Sequence, residues 1–469
     1  MMKTFTPKPI FIALAITLSA CTATEVDLTG KVNLPPRFEQ VPQRETNAEI
    51  AQWWKNWRDP QLTALIEQGL RHNPDISIAK ARLQEAQANS RYTNADLGPS
   101  VGAQGNAGLI HSHTQNPFSG QTADHSGNMQ IGALTAKWEL DFFGKKQSDA
   151  DAAQAIALSA QDQVYAAQML VAAQIAENYA DIFALQQQSK VLKQSENTLK
   201  QLKHYIQGRF NAGQANANDV SETESRINAI QAQLSVIDSR IAAHERAIAV
   251  LTGNTPQGFR INKSAVDFFN VLPSPPNGIM PSDLLARRPD LRAYRNQVQA
   301  ATAKLASAKA ELYPRFDIQF IGQSGRIELN TDSPDLKSWA GLFSAGISLP
   351  IFTNGRIQAG IDAADARLQN ALLQYDKALL QALADVDNSY QAQYALQRQK
   401  QLLHNASAQA ATQAANADKL FKYGEKTLDS ALTARLTALD YQQQLIQSKL
   451  NGSKNLINLY KALGGGWQE

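Results

Sequence analysis

The chain has 469 residues, 43% of them hydrophobic and 19% charged, with 45 basic against 42 acidic side chains and a single cysteine. A formal charge of only +3 supplies no concentrated basic surface for nucleic acid, and one cysteine excludes an internal disulfide framework and multi-cysteine zinc or iron–sulfur sites. The length allows about three ordinary domains.

Residues 1–20 read as an export signal. Lys3 and Lys8 precede a short apolar run, Ile10 to Leu18, and Leu18-Ser19-Ala20-Cys21 supplies the small residues a signal peptidase requires. The run, about nine residues long, is too short to cross a bilayer as a helix. A cysteine in this place resembles the lipobox of bacterial lipoproteins. That resemblance implies cleavage before Cys21, a thioether-linked diacylglycerol and an acylated amino terminus, and Thr22 in place of aspartate implies transfer to the outer membrane. The alternative is an ordinary signal with an incidental cysteine. Beyond the signal no stretch of 18 or more apolar residues exists. Any crossing of a membrane must then use a closed β-barrel, because only closure satisfies strand hydrogen bonds in lipid.

Residues 21–58 form a linker segment with Pro35, Pro36 and Pro42, ending in Trp53-Trp54-Lys55-Asn56-Trp57-Arg58-Asp59-Pro60. The three tryptophans read as a packing anchor. Asp59-Pro60 and Asn73-Pro74 read as helix starts, an N-cap followed by proline at the first helical position. An alanine-rich helix from Asn73-Pro74-Asp75 ends at Leu97-Gly98-Pro99. Two strands follow, Gly98 to Ile110 and Asn128 to Phe142, bracketing a glycine-rich loop with Asn116-Pro117. His111, His113 and His125 fall in this unit, and their loop spacing is a poor metal scaffold, so no metal site is expected.

No proline occurs between Pro117 and Pro256, or after Pro350. Proline inside a helix costs about 3 kcal/mol or more, so both stretches predict very long helices. Lys145 to about Phe210 would reach roughly 100 Å. Apolar residues seven apart form coiled-coil seams: Leu185, Leu192, Leu199 and Ile206; then Val220, Ile227, Leu234, Ile241 and Ile248 beside Ile230, Ile237 and Leu251. Leu432, Leu439 and Ile446 repeat the pattern beside Leu436, Leu450 and Ile457. Gly213 and Gly424 read as helix ends, where a left-handed residue is needed. Residues 261–281 are a second proline-rich linker. The second strand pair, Arg315 to Glu328 and Trp339 to Phe352, brackets Asp332-Ser333-Pro334. Phe316, Ile318 and Phe320 alternate with Asp317 and Gln319, and Trp339, Gly341, Phe343, Ala345, Ile347 and Leu349 share one face.

A long-period repeat organises all of this. Asn73-Pro74-Asp75 is matched by Arg288-Pro289-Asp290 and Leu97 by Leu312, both 215 residues later. Leu140-Asp141-Phe142-Phe143-Gly144 is echoed by Leu349-Pro350-Ile351-Phe352 and Gly355. Phe210-Asn211-Ala212-Gly213 is echoed by Phe421-Lys422-Tyr423-Gly424, and Leu251 and Gly253 by Leu463 and Gly465. The expected organisation is therefore a first repeat over 59–260 and a second over 282–469. The expected class is mainly α with four β-strands per chain. Four strands cannot close a barrel, since the smallest have about eight, so either the sheet stays half-open and soluble or several chains pool their strands.

The Trp-rich opening with Leu62, the two Pro-Asp helix starts, the two strand–loop–strand units and the Phe-x-x-Gly breaks resemble the TolC-like outer-membrane channel proteins of tripartite efflux pumps, particularly their lipoprotein branch. The resemblance covers about residues 45–466. It implies a homotrimer with one 12-stranded outer-membrane β-barrel and a coiled-coil α-helical barrel in the periplasm, with no enzyme chemistry and no cofactor. It also implies a periplasmic adaptor protein and an inner-membrane pump, commonly a proton-driven one of the RND type. The turns at Gly213 and Gly424 would form the tip that adaptors grip, or serve as turns alone.

A pore closed at its tip needs inward side chains, and rings of acidic groups favour cations and make closure sensitive to pH and metal ions. Asp219, Glu222 and Glu224 with Arg226 follow the first break, and Asp429 and Arg435 hold comparable places after the second. In the resembled family the constriction falls one to three turns past the second glycine, here at Asp429 and Thr433. Lipoprotein relatives often carry an apolar residue and then aspartate there, whereas this chain has the aspartate first and Thr433 second. The alternative is a solvated helix face.

The function expected is an exit duct for drugs or other small toxic compounds. A duct of a type I protein secretion system is the runner-up, and a non-channel coiled-coil lipoprotein stands behind it. No HExxH, P-loop or GxSxG pattern supports an enzyme, and the terminal Gly464-Gly465-Gly466 lacks the helix a phosphate loop requires.

Overall fold

The computed structural model describes residues 32–39, 50–115, 119–120, 122–262, 266–270, 272–329 and 336–467. Cys21 and its signal segment, Pro42, Asn116-Pro117 and Asp332-Ser333-Pro334 lie outside the described residues, as does the side chain of His125.

Each repeat runs helix, helix, strand, strand, very long helix, long helix. The first comprises α1 (Pro60–His72), α2 (Pro74–Ala95), β1 (Ser100–Gln115), β2 (Thr122–Leu140), α3 (Lys145–Asn211) and α4 (Ala217–Leu251). The second comprises α5 (Leu284–Arg287), α6 (Pro289–Ala310), β3 (Arg315–Leu329), β4 (Leu336–Ser348), α7 (Arg356–Lys422) and α8 (Leu428–Ala462). Three of the four helix pairs match to the residue: α2 and α6 have 22 each, α3 and α7 have 67 each, and α4 and α8 have 35 each, whereas α1 has 13 and α5 has 4. Among the described residues no helix is long and apolar enough to cross a membrane.

The chain divides into two compact units, and each draws segments from both repeats. One contains Leu83–Ser159 and Tyr294–Tyr375; the other contains Lys31–Arg82, Ala160–Ala293 and Asp376–Glu469. In the first unit the four strands form one antiparallel sheet in the order β1-β2-β3-β4. Its central pair joins the repeats, with Ala136 opposite Phe320 and Trp138 opposite Ile318. Among the described residues both outer strands leave one edge unpaired. Phe316, Ile318 and Phe320 lie opposite Ile347, Ala345 and Phe343, so one face carries the apolar side chains across β3 and β4. Where strands give way to helices, Phe143 stacks on Tyr313 at 4.8 Å and Phe142 meets Phe316 edge-on at 5.1 Å. Glu311 there faces Lys145 at 3.2 Å.

The strand limits differ from those read in the sequence. β1 and β2 run on to Gln115 and back to Thr122, so His111 and His113 stand on a strand and His113 Nδ1 meets Asp124 Oδ1 at 2.5 Å across the ladder. Sixteen registered pairs outweigh the weak strand propensity of Gly, Asn and Ser in this stretch. β4 stops at Ser348 because Pro350 offers no ladder donor, which leaves Ile351 and Phe352 beyond it.

In the second unit the tryptophans form the core. Trp53, Trp54 and Trp57 are all but fully buried; Trp53 stacks on Tyr460 at 5.5 Å and Trp57 on Phe268 at 6.0 Å. Asp59 caps α1 by accepting from the Gln61 and Leu62 amides at 2.9 and 3.2 Å, and the Tyr179 hydroxyl donates to it at 2.8 Å. The seams interlock: Leu185, Leu192 and Ile237 are buried together, with Ile230, Leu234 and Ile241 against them.

The repeat extends to individual hydrogen bonds. Asn73 caps α2 and donates to the Leu251 carbonyl at 2.9 Å, while Arg288 at the head of α6 donates to the Ala462 carbonyl at 3.4 Å. This moves the alignment of the helix ends by one residue. Gly253, at φ 73°, sits against the His72 carbonyl, and Gly464, at φ 78°, sits against Arg287. The Asn254 amide donates to Ala249 O and the Gly465 amide to Tyr460 O, the same six-residue closure. Gly253 therefore corresponds to Gly464, not Gly465, and Leu251 to Ala462, not Leu463, because the left-handed residue sets the register. The terminal glycines are a packed helix cap, with the Trp467 indole donating to the Gly464 and Arg287 carbonyls at 2.9 and 3.0 Å.

Candidate functional site

The two turns that close the second unit's long helix pairs carry every tip residue singled out in the sequence. Gly213 has φ 70° and Gly424 φ 76°. In the first turn the Gln214 amide donates to Arg209 O at 2.8 Å; in the second, Glu425 donates to Leu420 O at 2.9 Å. Both are Schellman closures, which need the left-handed residue that glycine adopts at least cost.

The helices that follow begin differently. Asn216 caps α4: its side chain accepts from the Asp219 amide at 3.0 Å, and Asp219 accepts from the Asn216 amide at 3.2 Å. Asp219 is thus half of a capping box. Glu222 is exposed on the same helix. Glu224 is paired with Lys203 of α3 at 3.2 Å. α8 begins at Thr427 with no side-chain cap, and Asp429 lies in its first turn with Oδ1 buried and without a hydrogen-bond partner. Arg435 is held by Asp418 of α7 at 2.6 Å.

Arg226 and Thr433 come together. They line a groove of about 450 Å³ with Leu199, Ile230, Leu436 and Asp440. Leu199 also belongs to a buried cluster with Leu202, Ile227 and Leu432, against which Ile230 and Leu436 pack. Asp418, Lys203 and Asp440 were not singled out from the sequence, because a residue on one long helix gives no local sign of the helix it faces. Asn216 could have been found from its spacing to Asp219, an Asn-x-x-Asp capping pattern.

Further along the same helices, a polar crossing links α3, α4 and α8. His244 Nδ1 meets Asn178 Oδ1 at 2.9 Å and Asp181 Oδ2 at 3.9 Å, and Lys454 reaches Asp181 Oδ2 at 2.7 Å. Burial holds the His244 imidazole below its ordinary value, opposed by Asp181 and aided by Lys454 and Arg240. Burial pushes the neighbouring Glu177 carboxyl up, with Lys461 and Lys454 pulling it back and Asp181 adding to the rise.

The sequence profile of the "Outer membrane efflux protein" family matches residues 65–254 and again 280–465, one match per repeat. The chain belongs to that family. The efflux protein is 28% identical over 465 residues to the "Pyoverdine export outer membrane protein OpmQ" of Pseudomonas aeruginosa, covering 97% of this chain and 96% of that one. It is 28% identical over 486 residues to the "Toluene efflux pump outer membrane protein TtgC" of Pseudomonas putida, covering 98% and 96%. Its fold matches the outer-membrane channel OprN with a TM-score of 0.81 at 23% identity, over 96% of this chain and all of that one. The mainly helical architecture with a few strands is that of the TolC-like channels. The efflux protein is an outer-membrane exit duct.

Proposed function

We propose that the efflux protein is a homotrimer whose three four-stranded sheets close into one 12-stranded barrel in the outer membrane. The observation that carries this reading is the sheet itself. It has four strands in the order β1-β2-β3-β4, with β1 and β4 open at its two edges. Long open edges invite pairing with another chain, and four strands are too few for self-closure. Pairing β1 of one copy with β4 of the next satisfies both. The long helices then assemble into the periplasmic tunnel, and their turns at Gly213 and Gly424 meet a periplasmic adaptor, which connects to an inner-membrane pump of the proton-driven RND type. Drugs or other small toxic compounds are the cargo, in keeping with relatives named for pyoverdine export and toluene efflux. Cys21 carries the lipid anchor. The protein acts as a conduit and performs no catalysis.

Asp429 is the gate residue. Asp429 stands in the first turn of α8, and a ring of three such carboxylates around a three-fold axis would bind cations. Single-channel recording tests this: Asp429→Ala should raise conductance and relieve divalent-cation block, and unchanged currents would remove Asp429 from the gate. For the whole reading, the purified protein should run as a heat-modifiable trimer and conduct in bilayers. A non-conducting monomer would overturn it. Palmitate labelling should be lost in Cys21→Ser, and a deletion strain should become drug-sensitive.

A further inference from the structure

We propose that Met129, Ile327 and Leu336 form an apolar girdle inside the extracellular end of the barrel, a second barrier in the duct that slows charged solutes and passes apolar ones. The proposal rests on the reading of the sheet as one third of an outer-membrane barrel.

Strand register separates the two faces. One carries Trp138 and Ile318, then Val101, Phe320 and Phe343, then Leu134, and on β1 it stays apolar through Ala107 and the 88% exposed Leu109. That face meets lipid. The other carries Glu139 opposite Asp317, Lys137 opposite Gln319, and Gln104 and Gln323 in one row. Charged groups are costly in lipid, so this second face lines the lumen. Five lumen rows cross all four strands. Taken toward the strand–strand connections, the first four each hold polar side chains: Lys137 and Gln319, then Thr135, then Gln104 and Gln323, then Asn106 and Ser338. The fifth, Gly108, Met129, Ile327 and Leu336, holds none, and Ile110 follows it on the same face. This end is extracellular, because its strands lead into strand–strand connections and the opposite end leads into helices.

Outward, the residues flanking this row on β2, β3 and β4 are polar: Gln130, Arg326 and Lys337 on one side, Asn128 and Glu328 on the other. Three strands therefore reverse their polarity here, apolar inward and polar outward. In the single chain Leu336 is 62% exposed, and Met129 and Ile327 are half-buried. Closing three sheets brings the three sets of side chains to one level around the axis. Barrel width makes their size count. About eight strands leave an interior that side chains fill, and about sixteen leave an aqueous channel, so at twelve a row of large residues narrows the bore. A narrow apolar bore sheds water, and a charged solute crossing it loses hydration with no partner to replace it. An apolar solute incurs no such cost.

Thiol labelling from outside intact, porin-deficient cells tests the girdle. Gln323→Cys places a thiol on the lumen wall about 14 Å inward of Ile327, at 3.4 Å per residue, and the chain without it gives the background. The probes are two methanethiosulfonates of similar size, one bearing a quaternary ammonium and one an uncharged alkyl group. With M129Q/I327N/L336N, which makes the row polar at similar volume, the ammonium reagent should react about tenfold faster, and the uncharged reagent at nearly its original rate. M129A/I327A/L336A should also speed the ammonium reagent. Equal ammonium rates with and without the polar row would overturn the proposal. So would acceleration by the alanine set alone, which would mark a barrier of size. Should the triple variants fail to assemble, Leu336→Asn decides, because that side chain is exposed in the single chain: a smaller acceleration supports the girdle and none refutes it. Gels of the same samples report the oligomer. Trimers with equal rates refute the girdle alone, whereas wild type without trimers refutes the channel reading.

Discussion

The two helix turns at Gly213 and Gly424 share a backbone and differ in how the next helix starts. Each has a left-handed glycine and a Schellman closure, and each leads into a helix of 35 residues. α4 opens with a complete capping box, while α8 opens without a side-chain cap and holds a carboxylate oxygen buried without a partner. A helix start leaves four amide donors unsatisfied. The first turn meets part of that need locally, and the second does not. Duplication preserved the geometry, and the capping residues then diverged. The turn with fewer fixed contacts is the one better suited to move, consistent with a gate on α8.

The largest test is of what the turns share. A Cβ at Gly213 or Gly424 meets nothing within 4 Å, so alanine there pays only the left-handed backbone penalty, about 1 kcal/mol. Thermal unfolding should fall equally for Gly213→Ala and Gly424→Ala; unequal falls would show that the backbones are not equivalent. Asp219→Ala should cost about 1 kcal/mol through loss of the capping box, whereas Asp429→Ala should cost less. Hydrogen exchange should correspondingly be faster in the first turn of α8 than in that of α4. If both turns exchange alike, the contrast fails.

The polar crossing supplies a pH test. Because the folded protein holds His244 below its ordinary value near 6.5, the unfolded chain takes up the proton more readily. That contribution to stability is complete above about pH 6.5 and is lost as the pH falls further. Glu177, raised by burial, acts in the opposite sense: its contribution is present at low pH and is lost as the pH rises through its elevated value. His244→Gln should flatten the acid limb of a stability–pH curve, and an unchanged limb would exclude His244 as its source. The smallest effect should come from Arg435→Gln. Its pair with Asp418 is 40% and 34% exposed, and pairs so placed contribute about 0.2–1 kcal/mol. A loss well above that would give Arg435 a further role at the second turn.

The helices were legible because a long helix advertises itself. Proline-free stretches and seven-residue apolar spacing predicted a helix from Lys145 to about Phe210, and the structure has Lys145–Asn211. Strand ends were less legible, since glycine-rich β1 acquires its length from cross-strand pairing with β2 and not from propensity. The gate candidates were legible as positions past a glycine, but their roles were not. Asp219 is absorbed by a cap, Glu224 by Lys203 and Arg435 by Asp418. Of Asp219, Glu222, Glu224 and Asp429, an unpartnered buried oxygen distinguishes Asp429.

The sequence by itself determined the duplication, the long helices and the membership in an efflux family, because each is written in local spacing or in a motif read along the chain. Tertiary structure decided three things that local spacing does not contain. It joined the repeats through β2 and β3, drew each compact unit from both repeats, and aligned Gly253 with Gly464. The physical reason is the same in each case. A ladder, a packed seam or a capped carbonyl is an interaction between residues distant in the chain, and its register is settled only when both partners are in place.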